Sequence, residues 1–94
     1  MEKWVFTIRG NTNGKMASLP EIAIFARHKL ASLGVLLITE VSLIKINKAI
    51  YEYTFYANFH EAVADYVAKK LLETFDSVCW KKLTPKESSN GTNK

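Results

Sequence analysis

The stretch from Val35 to Phe59, "VLLITEVSLIKINKAIYEYTFYANF", constrains this chain more than any other. It contains no proline, is too long for one strand, and is too rich in β-branched and aromatic residues for a helix. It therefore predicts two strands joined by a turn, with Asn47 to Ala49 as the turn. In the second strand Tyr51, Tyr53, Phe55 and Ala57 share one face, and Glu52, Thr54 and Tyr56 share the other. The first set is the expected core face. The first strand is aliphatic in both phases: Leu36, Ile38, Glu40, Ser42, Ile44 and Ile46 alternate with Leu37, Thr39, Val41 and Leu43. Its register is left open by the sequence, and both of its faces call for cover.

A β-α pattern precedes this pair and an α-β pattern follows it. Trp4, Phe6 and Ile8 alternate with Val5, Thr7 and Arg9, which reads as a strand with one strongly apolar face. After a loop rich in Asn and Gly, Ser18 and Glu21 have the spacing of a capping box, with Pro20 in the first turn where its missing N–H costs nothing. The predicted helix runs from Leu19 to Leu33 with Ile22, Phe25, Ala26, Leu30 and Leu33 as its apolar side, and Gly34 supplies a left-handed C-terminal cap. Asn58 is positioned to cap a second helix, Phe59 to Phe75, whose expected stripe is Ala62, Val63, Tyr66, Val67, Leu71 and Phe75. "SVCWKKL" is a last short strand. The order β-α-β-β-α-β predicts an α+β, ferredoxin-like fold: a four-stranded antiparallel sheet with two helices on one face. Residues 1–83 are read as one domain and 84–94, "TPKESSNGTNK", as a disordered tail.

With 48% hydrophobic and 23% charged residues among 94, the composition is that of a globular chain. A domain this small hides roughly 60 to 65% of its unfolded surface, so association would add to a thin stability margin. The single Cys79 excludes an internal disulfide and gives no second thiolate for zinc or an iron-sulfur cluster. With no leader-like N-terminus and no apolar run long enough to cross a bilayer, the expected location is cytoplasmic, away from membranes.

The loop "GNTNGKM" at 10–16 invites comparison with a phosphate-binding loop, which needs four residues between its glycines and a hydroxyl after the lysine. Here three residues separate Gly10 from Gly14, and Met16 follows Lys15. A strand-to-helix connection is the better reading, with Lys15 and the helix N-terminus left as an anion contact. Catalysis finds no support. His28 and His60 have no carboxylate and nucleophile at a useful spacing, Glu61 and Asp65 suit the start of a helix, and Cys79 is most simply a half-buried thiol beside Lys81. No catalytic residue, metal ligand or cofactor is expected.

Two binding readings remain. The RNA-recognition motif shares this element order and shows aromatics on its open sheet face. Exposing Tyr53 and Phe55 here would bury Glu52, Thr54 and Asn58, and burying a charge costs more than a stacking contact returns. Nucleic acid is therefore read as a contact of a basic edge patch drawn from Lys45, Lys48, Lys69, Lys70, Lys81 and Lys82. The net charge of +4 falls to +3 without the tail, which permits such a role without requiring it. The preferred reading is an interaction protein that covers the open sheet face with a second copy or a protein partner. Val5, Thr7, Ile44, Thr54 and Tyr56 would make the contact, with Arg9 and Glu52 setting its register. Either Trp80 or Lys81 would join them, depending on the register of the last strand.

Overall fold

Alternation in the first strand carries directly into structure. A computed structural model of the chain describes residues 1–12 and 18–83, and in it β1 (Glu2–Asn11) buries Trp4, Phe6, Ile8 and Gly10 on one face. It is followed by α1 (Leu19–Ser32), β2 (Ile38–Lys45), β3 (Ile50–Phe59), α2 (Glu61–Thr74) and β4 (Ser77–Leu83). The sheet order is β2-β3-β1-β4 with every neighbouring pair antiparallel. This is the ferredoxin-like arrangement, in which each helix links two parallel strands that have a third strand between them. Lys15 and the tail from 84 to 94, with the readings made for them, lie outside the described residues.

The helix signals hold for α1. Ser18 Oγ accepts from the Glu21 N–H at 3.3 Å while Glu21 Oε1 accepts from the Ser18 N–H at 2.9 Å, completing the capping box. That carboxylate's pKa lies below its ordinary value because of the hydrogen bonds from Ser18, the backbone one first. At the other end Gly34 has φ of 87°, and the Gly34 and Val35 N–H groups donate to Ala31 and Leu30 at 2.9 Å each, a Schellman closure. The turn between β2 and β3 is also where the sequence puts it. Asn47 Oδ1 accepts from the Ala49 and Ile50 N–H groups at 2.8 and 2.9 Å, so a side chain does what glycine does in tighter hairpins.

The core lies between the helices and one face of the sheet. Phe6, Ile8, Tyr51, Tyr53 and Phe55 are fully buried there, against Ile22, Ala26 and Leu30 of α1 and Ala64, Ala68 and Leu71 of α2. Phe6 and Phe55 face each other across β1 and β3 and stack at 5.3 Å. Gly10 is part of this packing rather than the start of the loop. It stands opposite Tyr51, and a Cβ on it would overlap the phenol ring.

Four expectations need correction. The apolar stripe of α2 is rotated: Ala64, Val67, Ala68 and Leu71 face inward, while Ala62, Val63 and Tyr66 are exposed. The sheet presents such large rings that the helix fits closely only through its alanines. On α1, Phe25 is 47% exposed and is capped by the Lys29 ammonium at 4.7 Å instead of entering the core. Asn58 does not cap α2. It stays in β3 opposite Lys3, and His60 takes the cap position with no side-chain bond. Finally, simple alternation fails in β2, because the pairing with β3 shifts between Glu40 and Ser42 and leaves Val41 as an extra residue. Ile38, Glu40, Leu43 and Lys45 consequently fall on the helix side, with Thr39, Ser42 and Ile44 on the open side.

Candidate functional site

Helices cover only one face of the sheet, and the other brings seven singled-out residues together in cross-strand rows. Ile44 stands beside Glu52 and Glu52 beside Arg9. In the next row Ser42, Thr54, Thr7 and Cys79 follow one another across all four strands. The third row is Thr39, Tyr56, Val5 and Lys81. Val5, Thr7, Arg9, Ile44, Glu52, Thr54 and Tyr56 thus form a continuous patch over β2, β3 and β1. The register also chooses Lys81, opposite Val5, for this face; Trp80 stands opposite Phe6 on the helix side.

The polar groups of the patch are tied to one another. Arg9 Nε donates to Glu52 Oε2 at 3.0 Å, and the Thr7 and Thr54 hydroxyls lie 3.2 Å apart. The Lys3 ammonium sits 4.8 Å from the centre of the Tyr56 ring, a cation–π contact at the opposite end from the ion pair. Arg9 and Glu52 offset one another, which leaves Lys3 and Lys81 as the unbalanced charges among the described side chains of this face. A shallow hollow of about 170 Å³ lies between β1 and β4, lined by Val5, Thr7, Cys79, Trp80 and Lys81. Val5, Thr7, Thr54 and Tyr56 are half-buried with no helix or strand among the described residues lying over them, whereas Ile44 is 48% exposed.

The six lysines of the supposed edge patch do not come together. Lys45 and Lys48 belong to the β2 edge and its turn, while Lys81 and Lys82 are on β4, the opposite edge of the sheet. Lys69 and Lys70 lie on α2, Lys69 bonded to Asp65 at 3.2 Å and Lys70 over the Tyr66 ring. Lys82 reaches Glu61 at 3.6 Å from the helix side. Their separation follows from strand order, which puts the second and last strands at the two rims.

On the helix side the structure assembles a polar cluster that sequence reasoning missed. Arg27 of α1 bonds Glu40 of β2 at 2.6 Å, and the Tyr53 hydroxyl lies 3.4 Å from both Arg27 Nε and Glu40 Oε1. Burial pushes the Tyr53 phenol above its ordinary pKa, while its bond to Arg27 pulls the other way. The arrangement joins α1 to the β2 edge through charge-assisted bonds. No spacing in the sequence announces it, because Arg27 and Glu40 meet only once the bulge has turned Glu40 inward.

His28, His60 and Cys79 are exposed and lie on three different elements or their ends. Among the described residues no three His, Cys, Asp or Glu side chains come close enough to hold a metal ion, and no helix is long and apolar enough to cross a membrane. The chain matches no protein-family model, no curated protein and no solved structure.

Proposed function

We propose that this chain is a small, non-enzymatic binding protein that works by covering its open sheet face with a protein partner, a second copy included. The observation that carries the reading is the character of the three cross-strand rows. Half-buried Val5, Thr7, Thr54 and Tyr56 lie side by side with an ion pair, Arg9 with Glu52, at one margin. A surface of this mixed kind, with Ile44, Val5 and Tyr56 flanking a Thr7–Thr54 hydroxyl pair and an ion pair that offset their own polarity, suits a protein interface better than a phosphate track. The lone cysteine supports a reducing, cytoplasmic setting.

Tyr56 is the residue to change. It projects from a central strand between Val5 and Thr39, so Tyr56→Glu puts a carboxylate into the middle of the contact and leaves the core unaltered. Light scattering on the full chain, with and without a mixed oligonucleotide, is the test. The expected result is association that resists added salt, ignores the oligonucleotide and weakens at least tenfold with Tyr56→Glu. A chain that binds the oligonucleotide only at low salt would replace the proposal with a nucleic-acid role.

A further inference from the structure

The sheet ends in β2 on one side and β4 on the other, and among the described residues no strand lies beyond either. An uncovered edge is a template for another strand unless charge, proline or brevity blunts it. β4 is blunted by adjacent Lys81 and Lys82, which would meet like charges in a second copy of the same strand. β2 is the opposite case. Leu36, Leu37, Val41, Ile44 and Ile46 in and around it are exposed, Leu37 at 91%. Its two charged residues, Glu40 and Lys45, are of opposite sign. A strand that is aliphatic and carries its acid in one half and its base in the other is complementary to its own reversed copy.

We infer that β2 pairs with β2 of a second copy of this chain, antiparallel about a twofold axis at Leu43, joining the two sheets into one. The bulge determines the register. Glu40 stands opposite Phe55 and Lys45 opposite Tyr51, so both lie on the helix side. Residues five apart on a regular strand point to opposite faces, and the extra Val41 is what brings these two to the same one. When Leu43 faces Leu43 of the second copy, Ile44 meets its Ser42 on the open side. Past the bulged Val41, Lys45 then meets its Glu40 on the helix side. Every pair joins residues of one face, and the symmetry forms the Glu40–Lys45 contact twice. On an unbulged strand the same axis would set Lys45 against Val41 instead. Arg27 and Tyr53 both engage Glu40 through Oε1, so that among the described residues Oε2 is the oxygen left to take the incoming ammonium.

This pairing goes beyond the open-face reading and does not depend on it, because it uses the rim of the sheet. The test is the mass of the full chain over a dilution series, by sedimentation, with charge reversals on β2. The β2 pair is expected at about twice 10.7 kDa at the concentrated end, and any larger mass reports further association through the open face. Lys45→Glu and Glu40→Lys each set two like-charge contacts in the dimer and raise its Kd about tenfold or more. An equimolar mixture of the two variants recovers the dimer, since each supplies the charge that the other lacks. Should Glu40→Lys unfold through its contact with Arg27, which circular dichroism will reveal, Lys45→Ala serves in its place and falls between native and Lys45→Glu. Tyr56→Glu removes only association through the open face and leaves the β2-paired dimer in place. A native chain that is monomeric throughout, or a dimer indifferent to Lys45→Glu, overturns the inference. A dimer abolished by Tyr56→Glu and kept by Lys45→Glu also overturns it, in favour of association through the open face.

Discussion

At the scale of single residues, two buried tyrosines link packing to pH. The hydroxyl end of the Tyr51 ring fills the space beside Gly10, and the hydroxyl is shut from solvent with no hydrogen-bond partner among the described residues. Burial raises its pKa above the ordinary value of 10.0, and the charge of Asp76 adds to the rise. Tyr53 shifts in the same direction, again chiefly through burial. The folded chain therefore keeps both protons at a pH where the unfolded chain has released them. Stability from this source is complete below about pH 10 and falls as pH climbs through the raised folded values. Urea unfolding across an alkaline series should show that fall, and Tyr51→Phe should flatten it because the phenylalanine ring has nothing to ionise. A slope identical in native and Tyr51→Phe chains would show that the fall has another source. None of this could be read from "IRGNTNG" alone, where Gly10 looks like the first residue of a loop. Its reason for being glycine appears only when the register sets it against Tyr51.

At the scale of elements, legibility depended on whether the signal was local. The capping box of α1, the left-handed Gly34 and the alternation of β1 and β3 are properties of neighbouring residues, and each was readable before folding was considered. The facing of α2 is not local. "EAVADYVAKKLLET" offers one stripe through Val63 and Tyr66 and another through Ala64 and Ala68, and only the bulk of the sheet rings decides between them. The bulge in β2 was hidden for a related reason, since an aliphatic run gives no phase that an extra residue could be seen to break. The choice of stripe on α2 makes a prediction that inverts the usual size rule. Tyr66 is 61% exposed and Ala68 is fully buried, so Tyr66→Ala should cost less than about 1 kcal/mol whereas Ala68→Leu should cost about 1 to 3 kcal/mol by overpacking. Chemical denaturation of the two variants compares them directly. A larger loss from Tyr66→Ala would mean that α2 presents the other face to the sheet.

For the whole molecule, strand order decides more than any motif does. It gathers Val5, Thr7, Arg9, Glu52, Thr54 and Tyr56 on the two central strands with Ile44 beside them, and it sends the lysine pairs to separate rims and to α2. The same order grades protection across the sheet. β1 and β3 are bonded on both sides, so their amides open only with global unfolding, while the outward amides of β2 and β4 depend on what covers the rims. Hydrogen exchange on the native chain can therefore separate the two rims by concentration. Pairing through β2 makes exchange at the outward amides of Leu43 and Lys45 slow as the chain is concentrated, with the β4 amides of Ser77 to Leu83 unaffected. Concentration-dependent protection confined to side chains of the open face would leave both rims equally fast, because burying that face adds no backbone partner. Equal slowing at β2 and β4 would point to general aggregation, which the lysines of β4 should resist. An edge strand with so many exposed aliphatics and a bulge that aligns its two charges is thus expected to acquire its protection only when a second copy lies alongside.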